Sequence, residues 1–291
     1  MPAYYIIPAF AAALYALSSM FSKRALQEGV GMLRLAFVSN ICLFLVFAPL
    51  ILLDDSPPNW DEIHWPLLAG TGFFLGNVLT FAAIRFGDVS IQAPMMGTKV
   101  VFVAAFSVLI GAGPVPVTWW IGAGMTAIAI FLLGFSDWSN RHAVWKTALL
   151  ALASSAVFGL TDALVMKYAK VFSPGWFLSA ITTVMLVESL LLIPFFNGRL
   201  RDIPRRAWPW LLGAASIMAI QSACLGSALA FFGDATALNI IYASRGLWGI
   251  VFVWRIGSWF GNRESDAGNQ VMGRRLAGAL MLVAAIALVL I

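Results

Sequence analysis

The chain has 291 residues, 61% of them hydrophobic and 11% charged, with a mean hydropathy of +0.90 and a formal net charge of +5. Soluble domains carry about 25% charged residues, so this chain lacks the polar side chains to cover a soluble surface and reads as a polytopic membrane protein. Most of its basic residues lie in short loops beside apolar runs, where they report topology and not nucleic-acid binding.

A membrane span needs about 20 apolar residues. Such runs fall at 4–22, 34–53, 66–85, 89–110, 117–135, 147–168, 174–195, 208–229, 235–256 and 273–291. The first of them, in MPAYYIIPAFAAALYALSSMF, has no basic region before it and no small-residue cleavage site, so it is expected to be a retained span. Turn chemistry separates the others: Asp54-Asp55-Ser-Pro-Pro after the second, Gly111-Ala-Gly-Pro after the fourth, Ser173-Pro-Gly before the seventh, Asn197-Gly-Arg after it. No segment between runs is long enough for a soluble domain.

Lys and Arg are distributed unevenly between the two sides. Loops after odd-numbered spans hold the basic residues from Lys23, Arg24 and Arg34 to Arg274 and Arg275, whereas the other side holds Lys167, Lys170 and an acidic loop with Asp54, Asp55, Asp61 and Glu62. The positive-inside rule then predicts that both termini are extracytoplasmic.

The two halves of the chain repeat. FGDVSIQAPMMGTK (Phe86 to Lys99) and FGDATALNIIYASR (Phe232 to Arg245) align at an offset of 146, which lays Asp88 on Asp234, Ser90 on Thr236 and Lys99 on Arg245. At an offset of 143, Leu17 falls on Leu160, Ser18 on Thr161 and Arg24 on Lys167. Five spans per half is an odd number, so the second half enters the membrane inverted. The expected fold is all-α and integral to the membrane: ten transmembrane helices as two inverted five-helix repeats, residues 1–140 and 141–291, the plan of many secondary transporters.

That architecture, with the paired turns AAIRFGDVSIQAP and LAFFGDATALNII, resembles the drug/metabolite transporter superfamily, specifically its EamA-type members. The resemblance covers essentially the whole chain. It implies a secondary carrier of the inner membrane, working by alternating access and more often in export, with a central cavity lined by spans one, three, four, six, eight and nine. Relatives move amino acids, nucleotide-linked sugars, sugar phosphates and drugs, and many lack a basic residue at the same place in both the fourth and ninth spans.

Lys99 and Arg245 carry the chemistry of this sequence. Each lies eleven residues past its turn Asp, about 16 Å into a core of about 30 Å, and a centred Lys or Arg costs at least about 2.5 to 3.5 kcal/mol. Two sources of a compensating anion stand open. Asp162 in the sixth span and Glu188 in the seventh can pair with the cations, or a substrate carboxylate, phosphate or sulfonate can bind them. With both, an amino-acid-like zwitterion fits between them, and either acid can serve as the carrier of a coupling proton.

Asn239, Tyr242, Arg245 and Trp248 recur every three residues, as do Gln92, Met95 or Met96, Lys99 and Phe102 within one residue of that spacing. Each set shares one helical face, the expected lining of a substrate cavity, with Asn77 in the third span a further candidate; helix packing and interhelical hydrogen bonding are the competing roles. Pro94 predicts a kink beside Lys99, Asp88 and Asp234 are expected to cap the helices they precede, and Gly72 with Gly76 forms a GxxxG packing motif.

Other functions find no support in the residue pattern. His64 and His142 are both expected in loops, Cys42 and Cys224 lie inside apolar runs with no CxxC, and no phosphate-loop, dinucleotide, zinc-protease or nucleophile-elbow motif occurs. No metal, cofactor or nucleic acid is called for; the expected partners are a small-molecule substrate, the lipid bilayer, and a coupling proton or counter-substrate. Two rivals remain: a lipid flippase, and a membrane enzyme holding a phosphorylated lipid head group on the same cations, for which Asp162 or Glu188 would be the base.

Overall fold

In hydrocarbon every backbone polar group must be bonded within its own segment, and apolar runs of this length satisfy that as helices. The computed structural model describes residues 3–86, 96–134, 141–260 and 269–290, and every regular element among them is helical. The α-helices are α1 (Ile6–Gln27), α2 (Met32–Phe47), α3 (His64–Phe86), α4 (Lys99–Leu109), α5 (Val117–Gly134) and α6 (Arg141–Phe172). They continue with α7 (Pro174–Ser189), α8 (Trp208–Phe232), α9 (Ala235–Tyr242), α10 (Arg245–Ile256) and α11 (Asn269–Leu290).

Among the described residues, five stretches are long and apolar enough to cross a membrane: Ala3–Gln27, Met32–Leu53, Trp145–Phe172, Pro174–Phe195 and Arg205–Phe232. The other expected spans carry helices as well, and large apolar side chains such as Leu52, Leu109 and Phe195 stand exposed on the outside. A lipid solvent accounts for that surface, which water would not tolerate.

The helices pack in exchangeable pairs. α1 lies on α8 as α6 lies on α3; α2 lies on α8 as α7 lies on α3; α4 lies on α6 as α9 and α10 lie on α1; α2 meets α7, and α5 meets α11. Small residues permit the closest approaches. A Cβ added at Gly72 would sit 2.3 Å from the Thr161 methyl group, and one at Gly76 would sit 2.8 Å from the Phe158 ring, so the GxxxG motif is what brings α3 onto α6.

Four expectations are corrected. The ninth run is not one helix: α9 ends at Tyr242 and α10 begins at Arg245, with Ala243 and Ser244 bonded back three residues to Ile240 and Ile241. The fourth run is likewise interrupted by a turn at Thr98, just before Lys99. Gly97-Thr98 at one point, and Ser244 with Gly246 at the other, are weak helix formers. His64 and His142 are not in loops but at the start of α3 and α6, whose first turns extend beyond the apolar runs.

Asp234 occupies the capping position of α9, but its side chain makes no cap; its left-handed backbone (φ 54°) turns the carboxylate to accept the Tyr4 hydroxyl at 2.5 Å. Asp88 and Pro94 lie outside the described residues. The cap of α7 comes from elsewhere in the chain, since Asp54 accepts the amides of Gly175 (3.1 Å) and Trp176 (2.8 Å).

Gly76→Leu is expected to lower stability by about 1 to 3 kcal/mol through overpacking against Phe158. Gly124→Ala, on α5 with nothing within 4 Å, should leave it unchanged. Thermal unfolding of the detergent-solubilised protein distinguishes the two.

Candidate functional site

The two helix interruptions deliver the two cations, Lys99 as the first residue of α4 and Arg245 as the first of α10. Their surroundings differ. Lys99 is 7% exposed, and its Nζ lies 2.7 Å from Oδ2 of Asp162, itself 1% exposed on α6. Asn239 on α9 donates its Nδ2 to the same oxygen at 2.8 Å and to the Ala235 carbonyl at 2.9 Å. One turn along α6, the Phe158 ring centroid lies 5.7 Å from Nζ. A buried charge is tolerated only when paired and hydrogen-bonded, and here one carboxylate oxygen receives two donors.

Arg245 is only partly buried. Its Cζ lies 4.8 Å from the ring centroid of Tyr15 on α1 and 4.8 Å from that of Tyr242. The two rings meet edge to face at 5.9 Å, so they form a corner on one side of the guanidinium and do not sandwich it. The Tyr242 hydroxyl donates to Oε1 of Gln221 at 2.8 Å, and Nε2 of Gln221 lies 2.6 Å from the Ser222 hydroxyl. Among the described residues no carboxylate forms an ion pair with Arg245. Asp162 stays within Coulombic reach of it.

Lys99, Asp162 and Asn239 thus form one bonded group, with Arg245 and Tyr242 beside it. Trp248 is 38% exposed, its ring tilted on Phe252, and Asn77 is half-buried on α3. Gln92 lies outside the described residues. Glu188 is held elsewhere: its Oε1 accepts the Thr71 hydroxyl at 2.7 Å, and its Oε2 is buried with no hydrogen-bond partner.

Tyr15 and Phe158 were not singled out by sequence reasoning, although a signal existed. The register that lays Leu17 on Leu160 also lays Tyr15 on Phe158, so each cation has an aromatic ring from the equivalent position of the other half. The same register lays Ser19 on Asp162. The carboxylate beside Lys99 therefore has no counterpart beside Arg245.

Comparison with known proteins bears on what this arrangement serves. Residues 3–135 match the model of the EamA-like transporter family. Over these residues the chain is similar to EamA-like transporters. The chain is also similar to a protein solved by crystallography, with a TM-score of 0.72 over 98% of this chain and 96% of that one at 14% identity; at that identity it speaks for the fold alone. Comparison with curated proteins finds no match. The matched family is one of membrane transporters of the drug/metabolite transporter superfamily, and the helices long and apolar enough to cross a membrane agree with a multi-pass setting.

Asp162→Asn leaves the Lys99 ammonium buried without its counter-ion, and the expected loss of stability is about 3 to 5 kcal/mol. The double change Lys99→Met with Asp162→Leu removes both charges and should recover most of that loss. Thermal unfolding of the single and double variants in one detergent checks the coupling.

Proposed function

We propose that the protein is a secondary carrier that moves a small organic anion across the inner membrane by alternating access, with Arg245 anchoring the acidic group. One observation carries the proposal: Arg245 is partly exposed in an aromatic corner and forms no ion pair with a carboxylate among the described residues, whereas Lys99 is buried against Asp162. A cation in a membrane without a protein counter-ion is costly, and a bound anion removes that cost. Arg offers a planar fork of donors that matches a carboxylate, phosphate or sulfonate.

Lys99 and Asp162 set the charge of the site, and Tyr15, Tyr242 and Asn239 shape it. Alternating access by two inverted repeats, 1–140 and 141–291, draws support from the exchangeable helix pairs and from the interruption before each cation. Matching six-residue 3-10 helices at Ala48–Leu53 and Leu190–Phe195, after α2 and α7, add to it. Both termini are proposed to be extracytoplasmic, and the cycle to run on an ion gradient or on exchange, in the direction of export.

In proteoliposomes, Arg245→Ala should reduce anion uptake by about 10- to 100-fold, in proportion to the 1.5 to 3 kcal/mol of a hydrogen bond to a charged group, and Arg245→Lys should recover part of it. Uptake unchanged in Arg245→Ala would remove the anchor. A reporter fused after Ile291 should signal from the extracytoplasmic side; a cytoplasmic signal would reverse the topology.

A further inference from the structure

Resting on the carrier function proposed above, we infer that the substrate is a monoanion without an ammonium group, and that the Lys99–Asp162 pair is what excludes amino-acid zwitterions from the Arg245 site. The first reason is the charge of the cluster. Two cations stand against one carboxylate, because Asp162 and Glu188 are the acids inside the spans and Glu188 is bonded to Thr71 instead. One negative charge on the ligand neutralises the group, a zwitterion leaves it cationic, and a dianion makes it anionic.

The second reason is that Asp162 is already occupied. Its Oδ2 is held by Lys99 Nζ at 2.7 Å and Asn239 Nδ2 at 2.8 Å. A substrate ammonium seeking that carboxylate would have to displace the Lys99 ammonium, which is 7% exposed, into surroundings that offer it the Phe158 ring but little water. Exchanging one buried ammonium for another gains nothing and strands the one displaced. The aromatic alternative is disfavoured as well, because the Arg245 guanidinium lies 4.8 Å from the centroids of both the Tyr15 and Tyr242 rings, so a substrate ammonium on either ring would meet a like charge.

The third reason is the departure from the repeat. In the first half's cation site an acid stands at 162; the register that pairs the halves lays Ser19 on it, an exposed residue whose hydroxyl donates to the Tyr15 carbonyl, so the second half has no carboxylate at that position. The carboxylate that completes a cation–aromatic–carboxylate group is present in the protein at one site and has to arrive with the ligand at the other.

The test uses matched pairs that differ in the ammonium alone: 4-methyl-2-oxopentanoate against leucine, and phenylpyruvate against phenylalanine, with succinate as a dianion. Ligand-dependent thermal shifts of the full-length protein in detergent give the apparent Kd, and Arg245→Ala is measured alongside. The expected result is at least tenfold tighter binding of a 2-oxo acid than of its amino acid and of succinate, lost in Arg245→Ala. Lys99→Met, which frees Asp162 and leaves one cation against one carboxylate, should shift the ratio at least tenfold toward the amino acid. Equal or tighter binding of the amino acids to the wild-type protein, still dependent on Arg245, would overturn the monoanion inference and leave the anion carrier standing. Absence of any Arg245-dependent shift across the panel would overturn the carrier reading itself. The wild-type ratio decides the inference even where Lys99→Met does not fold.

Discussion

A hydrocarbon interior has no water to solvate an ion, and that single condition organises this protein around the contact of Lys99 with Asp162. The pair joins α4 to α6, and Asn239 extends it to α9, so three helices meet on one carboxylate oxygen. An ion pair so placed adds little net stability over an apolar replacement of the same shape, yet removal of either partner exposes the other to the full cost of desolvation. Its value is positional. It fixes where α4 begins, and it leaves Arg245 as the cation whose counter-ion the described protein does not supply.

The symmetry of the chain gives that difference its meaning. Lys99 with Phe158 and Arg245 with Tyr15 are the same arrangement in two registers, each a cation at a helix interruption under a ring from the opposite half. Had the duplication stayed intact at every position, both cations would be paired or both open. Asp162 against Ser19 breaks the equivalence with one side chain. For the proposed carrier, two similar halves would present one site to either side, an asymmetric site would select a charged ligand, and a single substitution inside a repeated frame would meet both demands.

The interruptions themselves serve position more than donor chemistry. After the second interruption the amides of Gly246, Leu247 and Trp248 are bonded inward, Gly246 to Ala243 and the other two to Ser244. The tight turn instead brings Arg245 into the corner between Tyr15 and Tyr242. Tyr242 in turn is oriented by Gln221 on α8. The chain of contacts from α8 through α9 to α1 makes the orientation of the guanidinium a property of the packed helices.

The sequence by itself determined a great deal: a membrane solvent, from the scarcity of charge; the positions of the apolar runs; the equivalence of Lys99 and Arg245; and Asp162 and Asn239 as polar residues at the depth of the cations. These are local or periodic properties, readable because hydrocarbon makes each buried charge an exception. The tertiary structure alone decided which acid meets which cation. Asp162 and Glu188 look alike along the chain, and only the packing of α3 on α7 puts Glu188 against Thr71 while α4 on α6 puts Asp162 against Lys99. Trp248 shares a three-residue period with Arg245, yet the interruption at Ala243–Ser244 changes the helical phase before it, and its ring stands partly exposed on Phe252. Periodicity places a residue on a face of its own helix; which neighbour covers that face depends on contacts between segments far apart in the chain, and those contacts gave Arg245 two aromatic rings and Lys99 a carboxylate.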